Sequence, residues 1–154
     1  MKPVHDRVFG RIGPNFEARD SMTKAIQQSV RFNASPETLY EMYVDSAKHS
    51  KATGAPAKLS RKAGPAFTAF GGMLRGRNLL IVPGKMIVQA WRSNHWKKND
   101  ADSILILTFS RAGSGGRVDL VHANVPEHDH EGVTEGWKKY YWKPWRSYLA
   151  ASSR

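Results

Sequence analysis

The residues of this chain best suited to bind an apolar molecule are clustered near its C-terminus. Three of the five tryptophans and three of the five tyrosines lie between Gly136 and Leu149. At helical spacing Trp137, Tyr141 and Trp145 fall on one face, because residues three or four apart are neighbours on a helix. A helix with this aromatic face must cover something apolar, which is either a sheet or a pocket between a sheet and the helix.

Several residues on predicted strands could face this helix and bind a ligand. The candidates for the apolar wall are Phe67, Trp91, Phe109 and Leu120, and the candidates for a polar anchor are His122, Arg92, Gln89 and Tyr141. Strand parity alone does not say which side of a strand looks inward, so these assignments are predictions. The same pattern is typical of a core filled by the protein's own side chains. For His122, a buried imidazole held by hydrogen bonds is a simpler interpretation than a ligand contact.

Other chemistry finds little support in the sequence. The run His128-Asp129-His130-Glu131 invites a metal hypothesis, but it lacks a helical i, i+4 histidine pair and a clear third ligand. The segment from Gly71 to Gly76 lacks the Lys-Ser/Thr of a phosphate loop and predicts a hairpin turn with Gly76 at a bulge. No nucleophile elbow and no paired carboxylates stand out. We therefore predict no catalytic residue, no metal site and no cofactor.

The net charge of +11 comes entirely from the middle of the chain. Between Ser46 and Asn99 there are eleven Lys or Arg residues and no Asp or Glu. A field of one sign attracts an acidic partner, and the predicted partner-binding residues are Lys58, Arg61 and Lys62. A solvated basic face that only keeps the protein soluble fits the same charges. Nucleic acid is disfavoured, because no recognised binding motif accompanies the charge.

Secondary-structure signals indicate which elements would position these residues. A strand is predicted within residues 24–34, followed by a helix with Ser35 as N-cap and by a second short helix from Asp45 to Gly54. Short strands separated by turn residues follow, at Ala57–Lys62, Ala66–Phe70, Leu74–Val82, Lys85–Trp91, Ser103–Ser110 and Arg117–Val125. The aromatic helix comes last, and Pro144 predicts a kink within it.

The domain organisation is predicted to be simple. Residues 1–23 are expected to form a poorly ordered N-terminal arm or an edge segment, and residues 24–154 a single domain. No apolar run reaches the length of a membrane span, and charged residues interrupt any signal-like stretch at the N-terminus. The absence of cysteine excludes disulfides and thiol chemistry. We expect a soluble, cytoplasmic protein.

Six short strings occur in an order that points to a known family. They are Phe32 to Tyr40; Asp45 with His49-Ser50 and Thr53-Gly54; Gly64 to Gly72 with Gly76; Pro83 to Arg92; Val121-His122 with Val125-Pro126; and Gly136-Trp137 through Pro144. With them the chain resembles the helix-grip, START-like (SRPBCC) superfamily. More narrowly, it is similar to stand-alone relatives of the C-terminal domain of the heat-shock protein 90 ATPase activator, over roughly residues 25–150.

The resemblance implies an α+β helix-grip fold. In that fold a curved antiparallel sheet of about seven strands wraps around a long C-terminal helix, with two short helices after the first strand. It also implies a cavity between sheet and helix, which in many relatives holds a small hydrophobic or amphipathic molecule. The leading hypothesis is a non-enzymatic binding protein for such a ligand, in which the aromatic residues named above form the walls and His122 or Arg92 orients a polar end.

Two alternatives from other classes stay open. One is a chaperone ATPase-activator-like protein of the stress response, which docks its basic surface on an acidic protein partner. The other is a cavity enzyme of the cyclase or dehydratase kind, which some helix-grip relatives exemplify. Its acid/base groups would be His122, Tyr141 and Asp119.

Overall fold

The structure, a computed structural model, describes residues 23–152. The predicted N-terminal arm, residues 1–23, lies outside the described residues except for Thr23. The strands are β1 (Ile26–Phe32), β2 (Ala66–Ala69), β3 (Leu74–Val82), β4 (Met86–Ser93), β5 (Ser103–Ala112) and β6 (Gly115–Ala123). The helices are α1 (Pro36–Val44), α2 (Ser46–Thr53), α3 (His130–Trp137) and α4 (Lys143–Ser152).

The strands form one antiparallel sheet in the order β1-β6-β5-β4-β3-β2. Along the central strands buried and half-buried residues alternate, as in a sheet with one covered face. The helices pack on the covered face, and one continuous apolar core runs from β1 to α4. The predicted α+β helix-grip fold is confirmed.

The number of strands is one lower than predicted, because Ala57–Lys62 does not form a strand. Only Lys58 makes a β-bridge, to Thr68. The backbone N–H of Ala57 donates instead to the hydroxyl of Ser50 (3.0 Å), and that of Leu59 to the hydroxyl of Ser46 (2.8 Å). Side chains of α2 thus satisfy backbone groups that a sheet partner would otherwise take.

The two short helices begin and end where the sequence predicts. Ser35 caps α1 by accepting from the N–H of Thr38 (3.1 Å), and Pro36 occupies the first helical turn. Asp45 caps α2 by accepting from the N–H of Lys48 (3.0 Å). Gly54 ends α2 in the left-handed conformation that glycine adopts without steric cost.

The C-terminal helix, residues 130–152, contains a π-helical turn at Lys138–Trp142 between α3 and α4. Within it the N–H of Lys143 bonds the carbonyl oxygen of Lys138, five residues back, directly before Pro144. A π-turn inserts an extra residue and bends a helix. As a result two consecutive aromatic residues, Tyr141 and Trp142, both face the core.

Gly76 is needed for close packing and does not form the predicted bulge. The bulge lies between Asn78 and Leu80 of β3. A Cβ atom at Gly76 would collide with the carbonyl oxygen of Ala90 on β4 and would lie 2.9 Å from the ring of Phe67. The absence of a side chain therefore allows β3 to approach its neighbours.

This geometry predicts opposite effects of one substitution at two glycines. Gly76→Ala should lower the free energy of unfolding by about 1–3 kcal/mol, because the methyl group has no room. Gly136→Ala is the matched control: its Cβ meets nothing closer than Tyr140 at 3.8 Å, so helix propensity should raise stability by about 0.5–1 kcal/mol. Urea unfolding measures both, and a Gly76→Ala protein as stable as the wild type would contradict the packing argument.

Candidate functional site

The space between the sheet and the C-terminal helix is occupied by the protein's own aromatic rings. Trp137 stacks on Trp142 with ring centres 5.5 Å apart, and Tyr141 lies 4.5 Å from Trp137. Trp145 meets Trp142 edge-on at 5.5 Å and also contacts Phe32 at 5.7 Å. All five rings are buried. The predicted aromatic face exists, and here it fills the interior as core.

The predicted wall residues on the strands lie on this covered face. Phe67, Trp91, Phe109 and Leu120 are all buried. Trp91 lies 6.3 Å from Trp137, whereas Phe109 packs edge-on against Tyr40 of α1 at 5.7 Å. Of these wall candidates only Trp91 also borders an open pocket, which is described below.

His122 is a buried imidazole with both nitrogens engaged. The indole N–H of Trp137 donates to His122 Nδ1 (3.1 Å), so the proton of the neutral ring is assigned to Nε2. His122 Nε2 lies 2.8 Å from the hydroxyl of Ser103, which donates to the carbonyl oxygen of Trp91 (2.7 Å). Burial lowers the pKa of His122 to about 3. The group is held as a neutral structural link between β6, β5 and the helix.

A second buried histidine, His49 of α2, was not singled out from the sequence. Its Nδ1 donates to the carbonyl oxygen of Tyr43 (2.7 Å), and its Nε2 accepts from the hydroxyl of Tyr141 (3.1 Å). Burial lowers the pKa of His49 to about 4 and raises that of the Tyr141 hydroxyl. Polar residues surround His49 in the sequence of α2, so no apolar pattern marked it as buried.

A third series of hydrogen bonds beneath the helices, besides those of His122 and His49, includes Gln89. The hydroxyl of Tyr43 donates to Gln89 Oε1 (2.7 Å), and Gln89 Nε2 donates to Asn78 Oδ1 (2.9 Å). Asn78 in turn donates to the carbonyl oxygens of Ser60 (2.7 Å) and Lys62 (3.0 Å). Three predicted anchors, Gln89, His122 and Tyr141, are therefore already hydrogen-bonded inside the protein.

Arg92 and Asp119 lie on the other face of the sheet. The guanidinium of Arg92 binds the carboxylate of Asp102 (2.8 Å) and the carbonyl oxygens of Lys97 (3.0 Å) and Asp100 (3.1 Å), so it fixes a loop. Asp119 pairs with Arg117 at 3.0 Å. Alternation along β4 and β6 points both side chains away from the helices. The three groups named for a cavity enzyme are thus divided between two faces.

An open pocket of about 270 Å³ remains at one end of the aromatic core. Its walls are largely apolar and come from the β2–β3 turn, the start of β3, β4, α3 and the π-helical turn. They include Phe70, Met73, Leu74, Trp91, Trp137, Tyr140 and Tyr141. Gly132 and Gly136, one helical turn apart, also line it and present no side chain to the space. Asp129 supplies a carboxylate at the wall, and its Oδ2 accepts from the indole N–H of Trp96 (2.7 Å).

Two features of this pocket cost free energy. Phe70, at its edge, has a φ of 52°, which non-glycine residues seldom adopt. Trp91, on its wall, has a buried indole N–H that finds no hydrogen-bond partner within residues 23–152, and the same is true of Trp145 in the filled core. Strained backbone is more frequent at functional sites than elsewhere.

The predicted partner-binding residues differ in whether they are already held by ion pairs. Arg61 makes a two-pronged ion pair with Glu41 (2.8 Å for Nη1–Oε1) and also contacts Asp45 (3.1 Å). The hydrogen bonds from Arg61 lower the pKa of Glu41. Lys58 and Lys62 are exposed and make no ion pair within residues 23–152. Arg61 therefore ties its loop to the α1–α2 region, and the two lysines remain accessible.

In the run His128-Asp129-His130-Glu131, at the start of α3, the two histidines contact different partners. His128 Nε2 lies 2.8 Å from Asp100, and His130 Nε2 lies 2.8 Å from the carbonyl oxygen of Lys24. Within residues 23–152 no three His, Asp or Glu side chains are grouped to hold a metal ion. The same part of the chain has no helix with the length and apolar composition to cross a membrane.

The two buried histidines predict a specific acid sensitivity. His122 (pKa about 3) and His49 (pKa about 4) stay neutral in the folded protein. As the pH falls below about 6.5, the unfolded chain therefore binds protons at these two histidines that the folded protein does not bind. The free energy of unfolding should then fall by about 1.4 kcal/mol per pH unit for each histidine, until the pH passes the folded pKa values.

Urea unfolding between neutral pH and about pH 4 measures this slope. His122→Gln should be less stable at neutral pH and should show a slope smaller by about one proton. Ser147→Gln, at an exposed position without a titratable side chain, is the control and should keep the wild-type slope. Equal slopes in the wild type and His122→Gln would contradict the assignment.

Comparison with known proteins places this geometry in a family. Residues 33–150 match the family model described as Activator of Hsp90 ATPase homolog 1-like protein. The chain is 31% identical over 118 residues to the activator of 90 kDa heat shock protein ATPase homolog of Dictyostelium discoideum. The matched region covers 76% of this chain and 30% of that protein. It is 30% identical to homolog 1 of Homo sapiens, over 73% of this chain and 33% of that protein.

Solved structures agree at the level of the fold. An HSP90 activator from Plasmodium falciparum superposes with a TM-score of 0.75 at 21% identity, covering 83% of this chain and 97% of that one. The Aha1 dimer from Colwellia psychrerythraea gives a TM-score of 0.66 at 15% identity, covering 77% and 90%. This chain spans about a third of the length of the curated relatives it matches. From the extent of the family match, the chain belongs to the Activator of Hsp90 ATPase homolog 1-like family.

Proposed function

We propose that this protein is a non-enzymatic partner of an Hsp90-type chaperone and acts on the chaperone's ATPase. The observation that carries the proposal is family membership, since curated relatives are named as activators of that ATPase. The aromatic core supports it as well, because the interior where helix-grip relatives carry a ligand is largely filled. A domain with a filled interior acts mainly through contacts made by its surface.

The basic edge of the sheet is the proposed contact. Lys58 bridges to Thr68 of β2, and the carbonyl oxygen of Lys62 accepts from Asn78 of β3, so both lysines lie beside the β2–β3 edge. Arg75 and Arg77 of β3 are exposed at the same edge. These four cations make no ion pair within residues 23–152, and together they attract an acidic surface and accelerate its approach.

Charge reversal tests this contact. Lys58→Glu/Lys62→Glu should weaken binding of a purified Hsp90-type chaperone by about tenfold or more, because each attraction becomes a repulsion. The wild-type affinity should itself fall as salt is raised. Isothermal titration calorimetry at low and high salt, together with the chaperone's ATPase rate, measures both effects.

Lys24→Glu/Lys143→Glu is the matched control. It changes the net charge equally, and both lysines are exposed and away from the β2–β3 edge. Specific docking requires that this control bind almost as well as the wild type. If the two double variants lose affinity to the same extent, only net charge matters and the proposed contact is wrong.

A second candidate function, binding of a small apolar molecule, is favoured by the open pocket. Its volume of about 270 Å³ is just below the usual range for ligand sites. Burying roughly 200 Å² of apolar ligand surface is worth about 5 kcal/mol before association costs, so binding would be weak without a polar contact. The Asp129 carboxylate offers such a contact to a ligand N–H or O–H.

Filling the pocket from the helix tests this candidate. Gly136→Leu should abolish binding of indole, used as the probe, because the new side chain occupies the space that Gly136 leaves open. Ser147→Leu, at an exposed position of α4, is the control for added apolar surface. Ligand-observed NMR measures binding, and native mass spectrometry of freshly purified protein detects any molecule carried from the cell. Equal indole binding by both variants would exclude the pocket.

A further inference from the structure

The face of the sheet that points away from the helices is apolar at its centre. Strand register places Val121, Ile106, Val88 and Leu80 side by side on four adjacent strands. The neighbouring positions of the same face are Ala123, Ile104, Ala90, Met86 and Val82. None of these side chains belongs to the buried core or packs against it. We refer to these nine residues, with Leu79, as the outer apolar face.

This face is accessible in the part of the chain that the structure describes. Leu80 is 47% exposed, Leu79 40% and Val82 36%. The bulge between Asn78 and Leu80 leaves two consecutive leucines of β3 exposed. Both pairs of helices contribute to the core on the opposite face. The members of this face on β4, β5 and β6 are half-buried, so the fully exposed part lies on β3 and the partly exposed apolar area continues over three further strands. A contiguous apolar area of this kind is more typical of an interaction surface than of free surface.

Arginines outnumber carboxylates around the outer apolar face. Five arginines occupy outer positions of the sheet: Arg31, Arg75, Arg77, Arg92 and Arg117. Asp102 and Asp119 engage Arg92 and Arg117, and the other three make no ion pair within residues 23–152. Register also sets Arg75 directly opposite Arg92, and Arg31 opposite Arg117. Like charges directly opposite one another are unfavourable in a sheet, so added carboxylates would relieve them.

We propose that the outer apolar face docks a protein segment that carries aliphatic side chains flanked by carboxylates. The aliphatic groups would cover the central row, and the carboxylates would pair with Arg75 and Arg77 on one side and Arg31 on the other. This deepens the proposed function and rests on it, because the segment would belong to the Hsp90-type chaperone. Lys58 pairs with Thr68 of β2, and Thr68 lies opposite Arg75 of β3, so Arg75 and Arg77 lie between the basic edge and the outer apolar face and one acidic partner could engage both.

The other occupants fit these charges and residue types less well. A second copy of the chain would place one arginine rim against another. Residues 1–22 carry Lys2, Arg7, Arg11 and Arg19 against Asp6, Glu17 and Asp20, which is not an acidic segment. A membrane surface or a nucleic acid would be expected to meet exposed aromatic rings, and the outer positions of the strands hold none.

Two variants separate the apolar and the charged parts of this surface. Leu79→Thr/Leu80→Thr keeps residues that favour strands and removes aliphatic area at exposed positions, so the fold should persist. Arg75→Gln/Arg77→Gln removes two charges and keeps polar side chains. Each should weaken binding of the purified Hsp90-type chaperone about tenfold, and only the arginine variant should also flatten the salt dependence. Ser147→Thr on α4 is the control.

The outcomes distinguish this inference from the function on which it rests. If the wild type binds the chaperone and Lys58→Glu/Lys62→Glu weakens it while Leu79→Thr/Leu80→Thr binds normally, the outer apolar face is not the contact and the proposed function stands. Arg75 and Arg77 also belong to the basic edge, so the leucine variant decides between the two. If the wild type binds no chaperone, both fail.

Light scattering, unfolding and vesicle-binding assays test the other possible occupants of the outer apolar face. An outer variant that changes the molecular mass in solution identifies a second copy. Loss of stability in the free protein at unchanged chaperone affinity identifies residues 1–22. Loss of binding to anionic phospholipid vesicles at unchanged chaperone affinity identifies a membrane. Each of these three results would overturn the proposal.

Discussion

The structure depends on the hydrogen bonding of its buried aromatic side chains. Large rings bury much apolar area, but an indole N–H or phenol O–H that is buried without a partner costs free energy. Three of these groups on the C-terminal helix are paired, whereas the indole N–H of Trp145 has no partner within residues 23–152. Trp137 bonds His122, Tyr141 bonds His49, and Trp142 bonds the side-chain oxygen of Gln28 at 2.7 Å. These contacts join the C-terminal helix to β6, α2 and β1. They set the position of the helix on the sheet and explain why the interior is polar at a few defined points.

How well the sequence predicted these features depended on how local each signal was. Ser35, Asp45 and Gly54 act on neighbouring residues, so their roles could be read directly and the structure agrees. The local pattern of Ala57–Lys62 predicts a strand. Its backbone N–H groups donate instead to the hydroxyls of Ser46 and Ser50, and nothing within the segment indicates these partners on a different element. Alternation also predicted where strands lie but not which face is inward, which is why Arg92 was grouped with the inner residues.

The residues missed from the sequence depend on distant contacts. His49 lies in a polar helix and becomes buried only because Tyr43 and Tyr141 close over it. The π-turn depends on how Pro144 and the aromatic residues fit the sheet together, and no spacing rule for α-helices predicts it. The pocket likewise needs glycines on α3, a strained turn at Phe70 and the end of β4 to meet. Family resemblance supplied the architecture, whereas these side-chain details required coordinates.

The buried tryptophans also have an optical consequence. All five indoles of the chain are buried, and those of Trp137 and Trp142 are stacked at 5.5 Å with their planes 22° apart. Transitions of two indoles this close couple as excitons and add bands to the far-ultraviolet circular dichroism spectrum. Helix content deduced from that spectrum would therefore be distorted, and the same bands would report whether the C-terminal helix is seated on the sheet. The protein thus carries an intrinsic spectroscopic marker for the contact that organises its core.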